Sequence, residues 1–133
     1  MKTIFLSLIL TLLFGSVVTA QAQRTQTLKV RINQQKSLAR NNLKIKFVSL
    51  VEDSRCGEGM RCVWAGNAKI RVKITDSLGK SEIFEMNTNL GAKGAAFGSY
   101  SVNLVSLEPS LRANVRINRN AYTATFNISR LTR

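Results

Sequence analysis

Alternation with a period of two runs through most of this chain and constrains its fold more than any other feature. In "TLKVRIN", Leu28, Val30 and Ile32 fall on one side, with Lys29 and Arg31 on the other. "LKIKF" repeats the pattern, with Leu43, Ile45 and Phe47 set against Lys44 and Lys46. From Cys62 the even positions run through Trp64, Gly66, Ala68, Ile70, Val72 and Ile74, while Asn67, Lys69, Arg71, Lys73 and Thr75 occupy the odd ones. "SEIFEMN" is shorter and less regular; "YSVNL" and "AYTATFNI" alternate cleanly. Successive strand residues point to opposite faces, so this pattern describes strands buried on one side. The phase holds from Cys62 to Thr75, which predicts one long strand there.

The punctuation agrees. Asn41-Asn42 precedes the second strand, and Asp76-Ser77-Leu78-Gly79 reads as a hairpin turn with glycine at a positive φ. Thr88 to Gly98, holding Gly91, Gly94 and Gly98, reads as a flexible loop, and Pro109 closes the strand that starts near Tyr100. Asn118-Arg119-Asn120 turns the chain into the last strand. In the stretch before it, Ala113, Val115 and Ile117 alternate and suggest an edge strand. No segment carries a sustained helical stripe. The expected fold is one all-β domain, residues 23–133, built as an antiparallel, Ig-like sandwich of about six or seven strands.

The N-terminus reads as an export signal. Lys2 supplies a positive start, Ile4 to Phe14 an apolar core, and Ala20-Gln21-Ala22 a small-residue cleavage site, so residues 1–22 are expected to be a cleaved signal peptide. No cysteine lies near that site for lipid attachment, and no later stretch reaches the ~20 apolar residues of a membrane span. The expected location is secreted or periplasmic.

The stretch "EDSRCGEGMRCVWAGNA" holds both cysteines and the single tryptophan. Structural zinc takes four Cys or His ligands, and this chain has two cysteines and no histidine. Redox pairs are usually spaced C-x-x-C at a helix start, unlike Cys56 and Cys62. One disulfide stapling the turn between two strands is therefore expected, contributing about 2–2.5 kcal/mol by loop closure. Asp53 and Ser54 are placed to accept the loop's free N–H groups. Trp64, on the same strand face as Cys62, is expected to pack near the disulfide.

These residues carry a resemblance. Asp53-Ser54-Arg55-Cys56, a short loop, then Cys62-x-Trp64-Ala65-Gly66 is similar to the signature of a family of small exported bacterial proteins. That family's usual form is Asp-Ser-Arg-Cys-Pro followed by Cys-x-Trp-Ala-Gly. Tyr100, Val102, Leu104, Pro109 and Tyr122 fit the same layout. The resemblance implies an exported all-β domain and assigns no activity. Gly57 stands where the family has proline, which predicts a more flexible loop.

Charge limits the function classes. The chain has 20 Lys and Arg against 7 Asp and Glu; without Lys2 the cations number 19, and the net charge is +12. Such an excess favours anionic partners, or serves solubility alone. With no histidine, the commonest general base is missing. Glu52 and Asp53 are adjacent and point to opposite faces of a strand, a poor acid/base pair. The glycine-rich stretch lacks the order of a phosphate-binding loop and no helix follows it. No enzyme, metal or cofactor is expected. The leading expectation is an anion-binding face formed by Lys29, Arg31, Lys44, Lys46, Lys69, Arg71 and Lys73, provided their three strands share one sheet. Candidate ligands are an acidic glycan, lipopolysaccharide or a nucleic-acid backbone, bound by a monomer. The alternative is recognition of a protein, inhibitor-like, by the stapled loop 53–62, with Arg55, Met60 or Arg61 entering a pocket.

Overall fold

The computed structural model describes residues 22–132. The cleavage-signal reading of the N-terminus falls almost wholly outside them. Eight strands follow in chain order: β1 Gln26–Arg31, β2 Gln35–Ser37, β3 Lys44–Asp53, β4 Ala68–Thr75, β5 Ser81–Asn87, β6 Gly94–Phe97, β7 Tyr100–Glu108 and β8 Thr123–Arg130. They form two antiparallel four-stranded sheets, ordered β1-β8-β7-β6 and β2-β3-β4-β5. A short 3₁₀ turn, Arg119–Ala121, leads into β8. The sandwich is thus all-β, as the alternation requires. No helix of the described residues is long and apolar enough to cross a membrane.

The inward residues of both sheets meet in one core. Ile45 and Phe47 of β3, Ile70, Val72 and Ile74 of β4, and Met86 of β5 come from one side; Val30, Val102, Ala124, Phe126 and Ile128 come from the other. Two-faced burial of this kind is what makes alternation legible. Three bulges interrupt it. Register shifts between Phe47 and Ser49, and between Leu50 and Glu52, leave Val48 and Val51 unpaired on β3. A third, between Leu104 and Ser106, turns Val105 outward and lets Leu107 face the interior. Bulges re-aim side chains near strand ends. Here they allow Leu50, opposite Ile70, and Asp53, opposite Ala68, to share the inner face of the sheet.

Several expectations change. The strand predicted from Cys62 begins only at Ala68, because Gly66 adopts φ +69°, outside the extended region. β6 lies within the predicted glycine-rich loop, and β2 was not foreseen. Residues 110–117 form no strand and make one isolated bridge, between Arg112 and Glu58. The hairpin at Asp76–Gly79 is present, with Gly79 at φ +85° and Asp76 Oδ1 accepting from the N–H groups of Leu78 and Lys80 at 2.9 Å each.

Phe126 and Phe47 are fully buried, one from each sheet. Replacing either by alanine should cost about 3–5 kcal/mol, measured by denaturant unfolding, whereas Val105→Ala at the exposed bulge should stay within about 1 kcal/mol.

Candidate functional site

The chain leaves β3 at Asp53 and enters β4 at Ala68, and the connection between them holds the whole cysteine motif. Its base is a closed network. The Arg55 guanidinium grips Asp53 with two bonds, Nε to Oδ1 at 2.8 Å and Nη2 to Oδ2 at 2.7 Å. Nη2 also donates to the carbonyl of Pro109 at 2.9 Å, and Nη1 to that of Leu107. The Tyr122 hydroxyl donates to Asp53 Oδ2 at 3.0 Å. These side chains are largely removed from solvent, Arg55 at 16% and Asp53 at 7% exposure. A planar, forked cation is needed to meet a carboxylate and two carbonyls at once. Since β3 belongs to one sheet and β7 and β8 to the other, this group clamps the sheets together at one end.

The rest of the base is equally occupied. Ser54 and Asn67 bond reciprocally: the Ser54 N–H and hydroxyl both donate to the Asn67 carbonyl, and the Asn67 N–H donates to Ser54 Oγ at 3.2 Å. A Cβ on Gly66 would lie 1.8 Å from the Ser54 carbonyl oxygen, so only glycine permits this approach. The buried amide of Asn67 donates to Asn87 Oδ1 at 2.8 Å and accepts from the N–H groups of Asn89 and Leu90 at 3.0 Å each. Leu90, exposed in its own loop, is thereby tied to the same end of the molecule.

Above this base the disulfide Cys56–Cys62 closes a small ring. It lies inside the connection; it does not pin two strand arms, because β4 starts beyond it. The ring rests on the crossing between β7 and β8: the Glu58 N–H donates to the Leu111 carbonyl at 2.7 Å, and Arg112 pairs with Glu58 at 3.1 Å. Gly57 is buried here, and a Cβ on it would meet the Leu111 oxygen at 2.7 Å. This glycine serves close packing, contrary to the flexibility expected from the missing proline. Trp64 departs furthest from expectation. It is 74% exposed, Val63 is fully exposed and Met60 is 47% exposed, so the indole does not pack on the core.

The basic positions divide between the sheets. Lys29 and Arg31 lie on β1, and Arg31 Nε donates to the Asn120 carbonyl at 2.9 Å. Lys44, Lys46, Lys69, Arg71 and Lys73 lie on adjacent β3 and β4, on the outer face. Within that group Arg71 is paired with Glu85 at 3.1 Å, and Lys69 is opposite Glu52. Lys46 is directly opposite Lys73, with Lys44 next along β3. Among the described residues none of these three lysines has an acidic partner within salt-bridge distance.

Two open grooves flank Val115 and Ile117. The one of about 620 Å³ is lined by Glu58, Glu108, Arg112 and Arg116; the other, of about 580 Å³, by Asn33, Glu52, Asp53 and Tyr122. The carboxylates bordering them include Glu58 and Asp53, both already paired with arginine. No family model matches the chain, and no curated protein or solved structure does either. The Tyr122 role has a sequence trace in its place at the head of the alternating segment "AYTATFNI". Asn67 and the carbonyls of Leu107 and Pro109 have none.

Two predictions test the clamp. Arg55→Lys keeps the charge but loses the fork, and should destabilise the protein by about 2–4 kcal/mol in denaturant unfolding. Burial, then the hydrogen bond to Asp53, raise the Tyr122 phenol above its ordinary value of 10.0. A raised folded pKa means a contribution present below the unfolded value and lost as pH rises through the folded one. Stability should therefore fall in alkali above that ordinary value, and Tyr122→Phe should weaken this decline while costing about 1 kcal/mol at neutral pH.

Proposed function

We propose that this chain is an exported, non-catalytic binding protein that holds an anionic polymer or surface on the outer face of β3 and β4. The observation carrying this reading is the lysine trio of Lys44, Lys46 and Lys73. Like charges directly across a strand pair destabilise a sheet, by a few tenths to about 1 kcal/mol, unless an anion compensates them. Lys69 and the paired Arg71 extend the positive face along β4. Lys29 and Arg31 are no part of it, since they sit in the opposite sheet. The one aromatic residue of β3 and β4, Phe47, is buried in the core, so the outward contacts suit phosphate, sulfate or carboxylate groups better than stacked bases. The resemblance of the Asp53–Gly66 motif to small exported bacterial proteins supports an extracytoplasmic setting, where acidic glycans and lipopolysaccharide are the abundant polyanions.

An inhibitor-like use of loop 53–62 is less well supported. Arg55 is committed to Asp53 and two carbonyls and has no freedom to enter a partner's pocket. Gly57 to Met60 is folded as a turn, its ends joined by a bond of 3.1 Å, and does not offer an extended segment.

The test is heparin binding across a salt series, comparing the wild type with Lys44→Glu/Lys46→Glu/Lys73→Glu and with Lys29→Glu/Arg31→Glu. Binding through the trio predicts that the triple variant loses at least about tenfold in affinity, and that its log–log salt slope shrinks by about 3. The β1 pair should matter much less. Equal losses in both variants would reduce the positive charge to a nonspecific property of the whole surface.

A further inference from the structure

Met60, Val63 and Trp64 remain unexplained by the cationic face. They are exposed, Val63 fully and Met60 by about half, in a connection whose base is consumed by internal bonds. We infer that this stretch is a lipid-docking tip, which seats its apolar side chains in the interfacial layer of an anionic membrane.

Four observations favour lipid as the occupant. First, the apolar set is small, three exposed side chains in place of the 20–30 residues a side of a standard protein interface. A bilayer surface asks for no shape complementarity, only apolar groups with a polar margin. Second, the residue types fit that layer. Trp64 has an amphipathic ring of the kind enriched at membrane interfaces and is 74% exposed, with Val63 fully exposed next to it in the chain. Exposed Leu90, tied by its N–H to Asn67, adds an apolar group at the same end. Third, the charges are complementary. Arg61 lies within the disulfide ring and Lys93 in the neighbouring loop, both exposed. The ring's single acid, Glu58, is neutralised by Arg112. The chain beyond the expected cleavage site carries a net +12, so an anionic leaflet attracts it as a body. Fourth, the tip is rigid. The disulfide, the Gly57 contact with Leu111 and the Arg55 clamp hold its shape before it meets anything, which lowers the ordering cost of docking.

This inference does not rest on the Lys44, Lys46 and Lys73 face, and the two can fail separately. Trp64 is the only tryptophan in the chain, so its fluorescence reports on the tip alone. The experiment uses the processed protein, its N-terminus verified, with three probes: vesicles of phosphatidylglycerol and phosphatidylcholine, vesicles of phosphatidylcholine alone, and soluble heparin. Docking predicts that Trp64 emission shifts to shorter wavelength on the anionic vesicles and becomes shielded from an aqueous quencher. Heparin should leave the emission unchanged even where it binds. Val63→Ser keeps the reporter and, at a fully exposed position, keeps the fold. It should weaken co-sedimentation with anionic vesicles by several-fold, and Val63→Ser/Met60→Ser by about tenfold. The lysine-trio variant should bind vesicles less yet retain the blue shift of its bound fraction. Vesicle binding without any change in Trp64 emission overturns the proposal, since charge alone would then account for it. Absence of vesicle binding overturns it too, and leaves the tip as a contact for a protein.

Discussion

The bidentate grip of Arg55 on Asp53 is the interaction on which this end of the molecule depends. One guanidinium joins the last residue of β3 to one carbonyl near the end of β7 and another just beyond it, and the same carboxylate receives the hydroxyl that precedes β8. A buried pair of this kind adds little net energy over an apolar replacement, but breaking it leaves an uncompensated charge. Its value is geometric. It fixes where the connection to β4 departs, and so where the disulfide ring stands. The Ser54–Asn67 exchange and the Gly66 approach complete the base. The cysteine-bearing stretch, expected from the sequence to be a staple, is thus itself held in place by the network at its base.

How much of this was legible follows from what alternation reports. It reports burial on one face. Ile70, Val72 and Ile74, or Ala124, Phe126 and Ile128, were therefore read as inward without ambiguity, and the bounds of β5 coincide with the "SEIFEMN" segment. β2 is exposed on both faces and has no pattern to read; β6 begins at a glycine pressed against β7 and carries only small residues before Phe97. Trp64 was misplaced because Cys62, Trp64 and Gly66 continue the phase of β4 by coincidence. The positive φ at Gly66 breaks the strand, and only the Ser54 carbonyl, contributed from another part of the connection, explains why. The Arg55 clamp was hidden for a similar reason: its carbonyl partners lie 52 and 54 residues away, and carbonyls have no sequence signature.

The cationic residues illustrate the limit of strand reading. Each was correctly placed outward, yet outwardness does not decide which strands are neighbours. Topology separated Lys29 and Arg31 from the other five, and register then distinguished Lys46 and Lys73, which oppose each other, from Arg71, which pairs with Glu85, and Lys69, which lies opposite Glu52. A set of seven equivalent positions becomes an uncompensated trio with two moderated companions. The functional hypothesis is narrower than the composition alone would allow.

The pairing of β1 with β8 has a consequence for how the chain acquires its structure. Gln26 lies opposite Ile128, and among the described residues β1 has β8 as its only sheet neighbour. The Asp53 to Tyr122 bond likewise spans 69 residues. Closing such long loops before any contact rewards them makes folding slow, and it cannot finish until the C-terminal strand is free. A chain delivered N-terminus first stays open along the β1 edge for the whole of its delivery, and one sheet locks only when the final strand arrives to fill the place between β1 and β7.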